Sequence, residues 1–348
     1  MRKLLVLLAA VAFVVAFTVP AMAADWSFYG HARMSTFMES DSKEVGTTGF
    51  DDDDLTWDLQ SNARTGATVK AGAIGGGFEY GHTSTVNLRK LYGTWNFGGG
   101  TLLVGQTYTP LNIFQSNQVW AGDVDLLPYG GIYDGRRPMI QLSMAGFKIA
   151  LVKPATASIA GFTDVDTDTT LPKIEASYAF KAGPVRLEAF LGYNTYDVVD
   201  ATDKEVGIDS TFMGLAFNVG LGAAYINGNV YMGTNLGPFG MWEQGANDPT
   251  ITGDQVNDND SMGYVLVAGF KVSDTIGLEA GYGHQESELD VAGSKTDDTD
   301  SYYVNATINL AKGCFIVPEI GKVDFKDSAA GTKQGDTTYY GAKWQINF

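Results

Sequence analysis

The final stretch of the chain alternates without interruption. Tyr340, Ala342, Trp344, Ile346 and Phe348 share one face of an extended backbone, and Tyr339, Gly341, Lys343, Gln345 and Asn347 share the other. A two-residue period is that of a β-strand whose faces meet two different surroundings. The pattern recurs at 174–181, 185–194, 276–282 and 302–310, where Ile, Val, Leu and Tyr alternate with Lys, Glu, Arg and Asn. Near the start, Phe28, Ala32 and Met34 oppose Tyr29, His31, Arg33 and Ser35, and a second run carries Leu55, Trp57 and Leu59 opposite Asp58, Gln60, Asn62 and Arg64. Short turns at 72–77, 98–100, 145–146, 181–184, 220–222, 273–275 and 311–313 take turns with long polar connections at 39–54, 83–88, 109–137, 155–171, 197–209, 235–260, 286–300 and 324–336. Seven turns and eight loops join sixteen strands, with both ends of the chain on the turn side. This predicts an all-β, transmembrane, antiparallel up-and-down β-barrel, and sixteen strands enclose a water-filled lumen rather than a packed one. Pro318 in the fifteenth strand, and the inward parity of Val265 and Val267 in the twelfth, are the irregularities.

Alternation alone does not say which face meets water. Three features place the apolar face outside. Arg2-Lys3, the apolar run Leu4–Phe17 and the small residues of Ala21-Met22-Ala23 read as a secretory signal peptide over 1–23, too short to span a bilayer as a helix. That leaves 24–348 as a single barrel domain. The last strand carries aromatics at both ends, as at the two edges of a lipid slab, and the chain stops on Phe348. A mean hydropathy of −0.05 is too polar for a helical membrane protein.

With 40 Asp+Glu against 23 Lys+Arg, the net charge of −17 argues against a nucleic-acid partner. The long connections hold 32 of the acids but 7 of the bases, so the acidity belongs to the loop rim, densest at Asp51–Asp54. It reads as a solvated mouth, or as carboxylates that bridge through Ca²⁺ or Mg²⁺ to anionic lipopolysaccharide. Arg33, Arg64 and Arg89 lie on strands, where a guanidinium facing lipid is costly, so they are expected in the lumen. Arg89 shares the parity of outward Leu91 and Trp95 and reaches the lumen only if a bulge intervenes. One Cys (Cys314) and three scattered His (His31, His82, His284) offer no disulfide and no metal or cofactor site. No nucleophile elbow supports an enzyme. Loop 109–137 is unusually apolar, with Ile113, Phe114, Trp120, Leu126, Leu127, Tyr129 and Tyr133, and is expected to fold into the barrel.

Arg89-Lys90-Leu91-Tyr92, Gly98-Gly99-Gly100-Thr101-Leu102 and Val104-Gly105, followed by Asp125-Leu126-Leu127-Pro128-Tyr129-Gly130-Gly131 and a base at Arg136 or Arg137, resemble the general bacterial porin family. Phe348, with Ile346, Trp344 and Tyr340, resembles the C-terminal signal read by the outer-membrane assembly machinery. The resemblance implies a homotrimeric diffusion channel in the outer membrane of a Gram-negative bacterium. It also implies a pore constriction in which Asp125 is the loop acid and Arg33, Arg64, Arg89 and Arg136 or Arg137 form the opposing wall. Two departures stand out: Tyr129 follows Pro128 where the family has an acid, which Asp123 compensates, and Gln106 replaces a frequent Arg. The expected selectivity is weak. The alternatives are a solute-specific channel with Trp120, Tyr129 and Tyr133 stacking on sugars, and a non-conducting surface barrel.

Overall fold

The computed structural model describes residues 24–45, 51–82 and 85–348. The signal peptide expected at 1–23 lies outside the described residues, as do 46–50 of the first loop.

Sixteen antiparallel strands close into one barrel, as the alternation predicts. They are β1 (Asp25–Asp41), β2 in two runs (Asp52–Leu59 and Arg64–Ala71), β3 (Ile74–His82), β4 (Val86–Asn96), β5 (Thr101–Tyr108), β6 (Arg136–Met144), β7 (Phe147–Val152), β8 in two runs (Asp164–Asp168 and Lys173–Ala182), β9 (Val185–Asp200), β10 (Glu205–Leu221), β11 (Ala224–Thr234), β12 (Asn259–Lys271), β13 (Ile276–Leu289), β14 (Asp297–Ala311), β15 (Cys314–Asp324) and β16 (Asp336–Asn347). β16 pairs with β1 from His31↔Asn347 to Asp41↔Thr337, which completes the ring. Closure leaves no edge and satisfies the ladder within the protein, the condition for a sheet to cross hydrocarbon. Among the described residues no helix is long and apolar enough to cross a membrane.

The faces are inverted relative to a soluble sandwich. Trp57, Leu91, Ile140, Leu191, Leu266, Val304, Tyr340, Trp344 and Ile346 are exposed on the outside, whereas Glu79, Glu175, Glu279, Glu319, Asn229, Asn305 and Gln345 are buried within. Outward Trp95, Phe97, Phe147, Phe180 and Phe270 sit close to the short turns, as an interfacial girdle requires.

Several expected boundaries shift. The connection placed at 197–209 is a tight turn at 201–204, because β9 and β10 keep pairing through Asp197, Glu205 and Asp209. Likewise β13 and β14 extend into the segment read as a loop at 286–300, and Asp52–Asp54 pairs with Glu39–Asp41 rather than lying in a loop. Polar residues mark where a strand leaves the lipid, not where its hydrogen bonding stops. Gly75–Gly77, read as part of a turn, belongs to β3; a Cβ on Gly76 would meet the Tyr92 carbonyl at 2.7 Å, so these glycines serve close strand approach. β15 runs unbroken through Pro318.

The inward valines have a reason. Val265 and Val267 are buried with Val119, Val124, Leu126 and Tyr129 of loop 109–135. They are the floor on which the inward loop rests. A second connection, 235–258, also folds in: Leu236, Phe239 and Met241 pack with Leu111, Ile113 and Ile132. Where these loops fold in, the barrel's interior is apolar.

Lipid exposure of the outer face predicts that Leu266→Lys destabilises the barrel by roughly 2–4 kcal/mol near the bilayer midplane. Reversible unfolding in lipid vesicles measures it, and an unchanged stability would contradict the assignment of that face.

Candidate functional site

The candidate constriction is built from a bulge, a broken strand and a tethered loop. Where β1 runs from His31, paired with Arg64, to Met34, paired with Leu59, two of its residues face four of β2. The even insertion keeps the parity of β2 on both sides while Gln60–Ala63 step off the ladder. Gln60 Nε2 and Asn62 Nδ2 thereby donate to Asp123 at 3.0 and 3.1 Å. Arg33 Nη1 lies 2.5 Å and Lys343 Nζ 3.0 Å from the same carboxylate. Asp123 is thus the loop acid clamped to the wall by four donors, two of them cationic. Asp125, expected in that place, makes no ion pair among the described residues. Confinement between loop and wall, with Asp123 beside it, pushes its carboxyl well above the ordinary range.

Arg89 reaches the lumen through the bulge its parity demands. β3 and β4 pair Glu79 with Lys90 but Tyr80 with Leu88, so Arg89 is the extra residue. Gln106 Nε2 donates to the carbonyls of Leu88 and Arg89 at 3.3 and 3.2 Å and so supports that bulge. Inside, Arg89 Nε is 2.8 Å from Glu79, with Lys90 at 3.3 Å, Arg64 at 3.6 Å and the Tyr29 hydroxyl donating at 2.8 Å. Glu79, a wall acid that the sequence reading passed over, holds three bases together.

Arg33, Arg64, Arg89, Arg136, Asp123, Asp125 and Lys343 line one cavity of about 660 Å³. Arg137 does not; it bonds the Asp134 and Gly240 carbonyls at 3.1 and 3.0 Å. Nearby, fully buried Lys173 lies 2.7 Å from Asp134 and 3.3 Å from Glu175 and donates to the Phe239 carbonyl at 3.1 Å. This knot ties the base of loop 109–135 to loop 235–258.

The loop's path is fixed by carboxylates of the wall that accept its main-chain N–H groups. Glu175 takes Leu111 at 3.1 Å, Glu279 takes Asn117 at 2.6 Å, and Glu319 takes Val119 and Trp120 at 2.8 and 2.9 Å. The Tyr225 and Tyr303 hydroxyls donate to Glu279 as well. Gln118 bridges the Tyr339 hydroxyl and the Leu126 N–H at 2.8 and 2.9 Å. Gly283 completes the seat: a Cβ there would lie 2.1 Å from the Tyr129 carbonyl, and one on Gly130, whose φ is +96°, 2.2 Å from the His284 carbonyl. Ala121, Asp123, Asp125 and Leu126 all take left-handed backbone (φ 48–61°), a sparsely populated conformation held by these tethers. Trp120 stacks on Tyr339 at 4.4 Å and is 7% exposed, and Tyr129 is 4% exposed. Neither offers a face to a solute, which removes two of the three residues suggested for sugar stacking; Tyr133 remains on the cavity.

A sequence profile described as Gram-negative porin matches residues 9–328. By sequence no curated protein matches. Among solved structures, the outer membrane channel DcaP of Acinetobacter baumannii superposes with a TM-score of 0.74 at 16% identity, over 93% of this chain and 97% of that one. The anion-selective porin from Comamonas acidovorans gives 0.65 at 14%, over 93% and 100%. The trimer form of OmpT, an outer membrane protein of Vibrio cholerae, gives 0.62 at 14%, over 94% and 100%. At these identities the likeness is one of fold.

Two outcomes follow from this geometry. Gly283→Val displaces the loop from its seat, so single-channel conductance rises; an unchanged conductance would mean that the loop does not set the narrowest section. Because burial holds the Asp125 carboxyl above its ordinary range, raising the pH through its titration adds negative charge to the lumen. The anion-to-cation permeability ratio therefore falls more with pH in the native chain than in Asp125→Asn; an identical slope in both removes Asp125 from the site.

Proposed function

The chain belongs to the Gram-negative porin family, and on that premise we propose that it forms a water-filled outer-membrane channel for passive diffusion of small hydrophilic solutes and ions, with a mild preference for anions. The observation that carries this reading is the charge around the cavity. Arg33, Arg64, Arg89, Lys90, Arg136 and Lys343 meet Glu79, Asp123 and Asp125, six bases against three acids. The acidic rim opposes anions at the mouth, but at physiological salt the Debye length is about 8 Å, so the distant rim is screened and the narrow section dominates. A polar solute keeps its hydration among fixed charges there, whereas an apolar one must displace ordered water. No bond is made or broken in this process, so the reading requires no catalysis.

The same reading extends to the protein's surroundings. The mature chain starts after Ala23. It assembles as a homotrimer, a reading supported by the fold it shares with a trimeric outer-membrane protein. Tyr340, Trp344, Ile346 and Phe348 present the aromatic terminal strand to the assembly machinery and then to lipid. Asp52–Asp54, set against Glu39 and Asp41 across the ladder, supply like-charged carboxylates through which divalent cations bridge to lipopolysaccharide.

Reversal potentials under a salt gradient in planar bilayers test the proposal. Arg64→Ala and Arg136→Ala each lower the anion-to-cation ratio by roughly two- to fourfold, the effect of one unit charge a few ångströms from an ion in a wet lumen. Unaltered ratios in both variants would remove these residues from the selectivity site, and absence of conductance in the native protein would favour a purely structural barrel.

A further inference from the structure

Two large aromatic side chains stand open in the lumen although water surrounds them. Phe114, on loop 109–135, and Trp242, on loop 235–258, are 44% and 43% exposed and line the same cavity as the cationic wall. They continue a cluster of rings in edge or tilted contact. Phe114 lies 5.3 Å from Tyr108 and 6.0 Å from Tyr133, and Trp242 lies 5.7 Å from Tyr133. The cluster is held in place by main chain: the Trp242 N–H donates to the Tyr133 carbonyl at 3.0 Å.

Cations border these rings on one side. The Arg136 guanidinium lies 5.1 Å from the Tyr108 ring centroid, with Lys90 Nζ at the same distance from that ring. Arg136 Nη1 donates to the Tyr108 hydroxyl at 3.0 Å. Among the described residues Arg136 makes no ion pair, so its guanidinium, oriented by the Tyr108 hydroxyl, brings an uncompensated charge to the cavity.

We propose that Phe114, Trp242 and Arg136 form a binding station for planar aromatic carboxylates passing through the pore. The proposal rests on the diffusion-channel reading and names a solute class within it. The carboxylate takes the guanidinium fork, and its ring lies against the open aromatic faces. A neutral sugar can stack on the rings but gains nothing from the charge of Arg89, Lys90 and Arg136, which a carboxylate does. A small aliphatic anion satisfies the fork but leaves the rings wet. Only a solute with both parts satisfies both.

Chloride current through the native protein in planar bilayers, titrated with benzoate, acetate and neutral benzyl alcohol, tests this. Benzoate depresses the current saturably, with a half-effect concentration roughly tenfold below that of acetate, the size expected for added ring stacking beside a cation. Benzyl alcohol has little effect. Trp242→Ala combined with Phe114→Ala brings the benzoate value up to that of acetate, and the chloride current of that variant reports that it has inserted. Equal benzoate and acetate values in a conducting native pore, or a benzoate advantage that survives the double substitution, overturn the station and leave the channel reading intact. A native protein that passes no chloride overturns the channel reading and the station with it. Equal native values overturn the station without any variant being needed.

Discussion

Hydrocarbon offers no partner to a peptide N–H or C=O, and that constraint organises the whole molecule. It forces the sheet to close, β16 onto β1. Closure in turn forces the apolar side chains outward and leaves the polar ones to line a space filled with water. The interior wall is therefore rich in carboxylates, amides and hydroxyls before any loop enters it. Those groups are what allow a loop to enter, since an inward chain brings N–H groups that must find acceptors away from bulk solvent. Glu175, Glu279 and Glu319 supply them.

The charges of the constriction follow from the same arrangement. Asp123 is drawn onto Arg33 and Lys343, and Glu79 gathers Arg64, Arg89 and Lys90. The acids and bases are thus in direct contact in pairs and triples, rather than held apart on opposite sides of a gap as the family resemblance implies. What the proposed channel offers a permeant ion is the excess of bases, and Arg136 in particular, which forms no ion pair among the described residues.

The barrel was legible in the sequence because a period of two survives in every well-formed strand and because lipid exposure leaves whole faces apolar. The need for a bulge at Arg89 was legible from its parity with Leu91 and Trp95, and the inward course of loop 109–135 from its apolar content. Asp123 and Glu79 were harder to find. Asp123 depends on where Gln60 and Asn62 leave the β2 ladder, and an insertion that preserves parity leaves no trace in the alternation. Glu79 shows in sequence only as one inward position among many, and its meaning lies in three neighbours from another strand and an earlier one. The inward Val265 and Val267 looked like defects of a strand, since the loop that covers them is distant in sequence. The connection read at 235–260 was taken for an outer loop; its inward course over 235–258 did not show because only a few of its residues, Leu236, Phe239 and Met241 among them, are apolar anchors. Loop lengths were overestimated where strands such as β9 and β10 continue in polar sequence above the lipid.

The inverted faces are the claim on which the rest stands, and spin labels along β16 test them most directly. With Cys314 replaced by Ser, single cysteines at 340, 342, 343, 344 and 345 are labelled in lipid vesicles, and their accessibility to oxygen and to a water-soluble nickel complex is compared. The account predicts that labels at 340, 342 and 344 favour oxygen and those at 343 and 345 favour the nickel complex. The opposite alternation, or none, would contradict it.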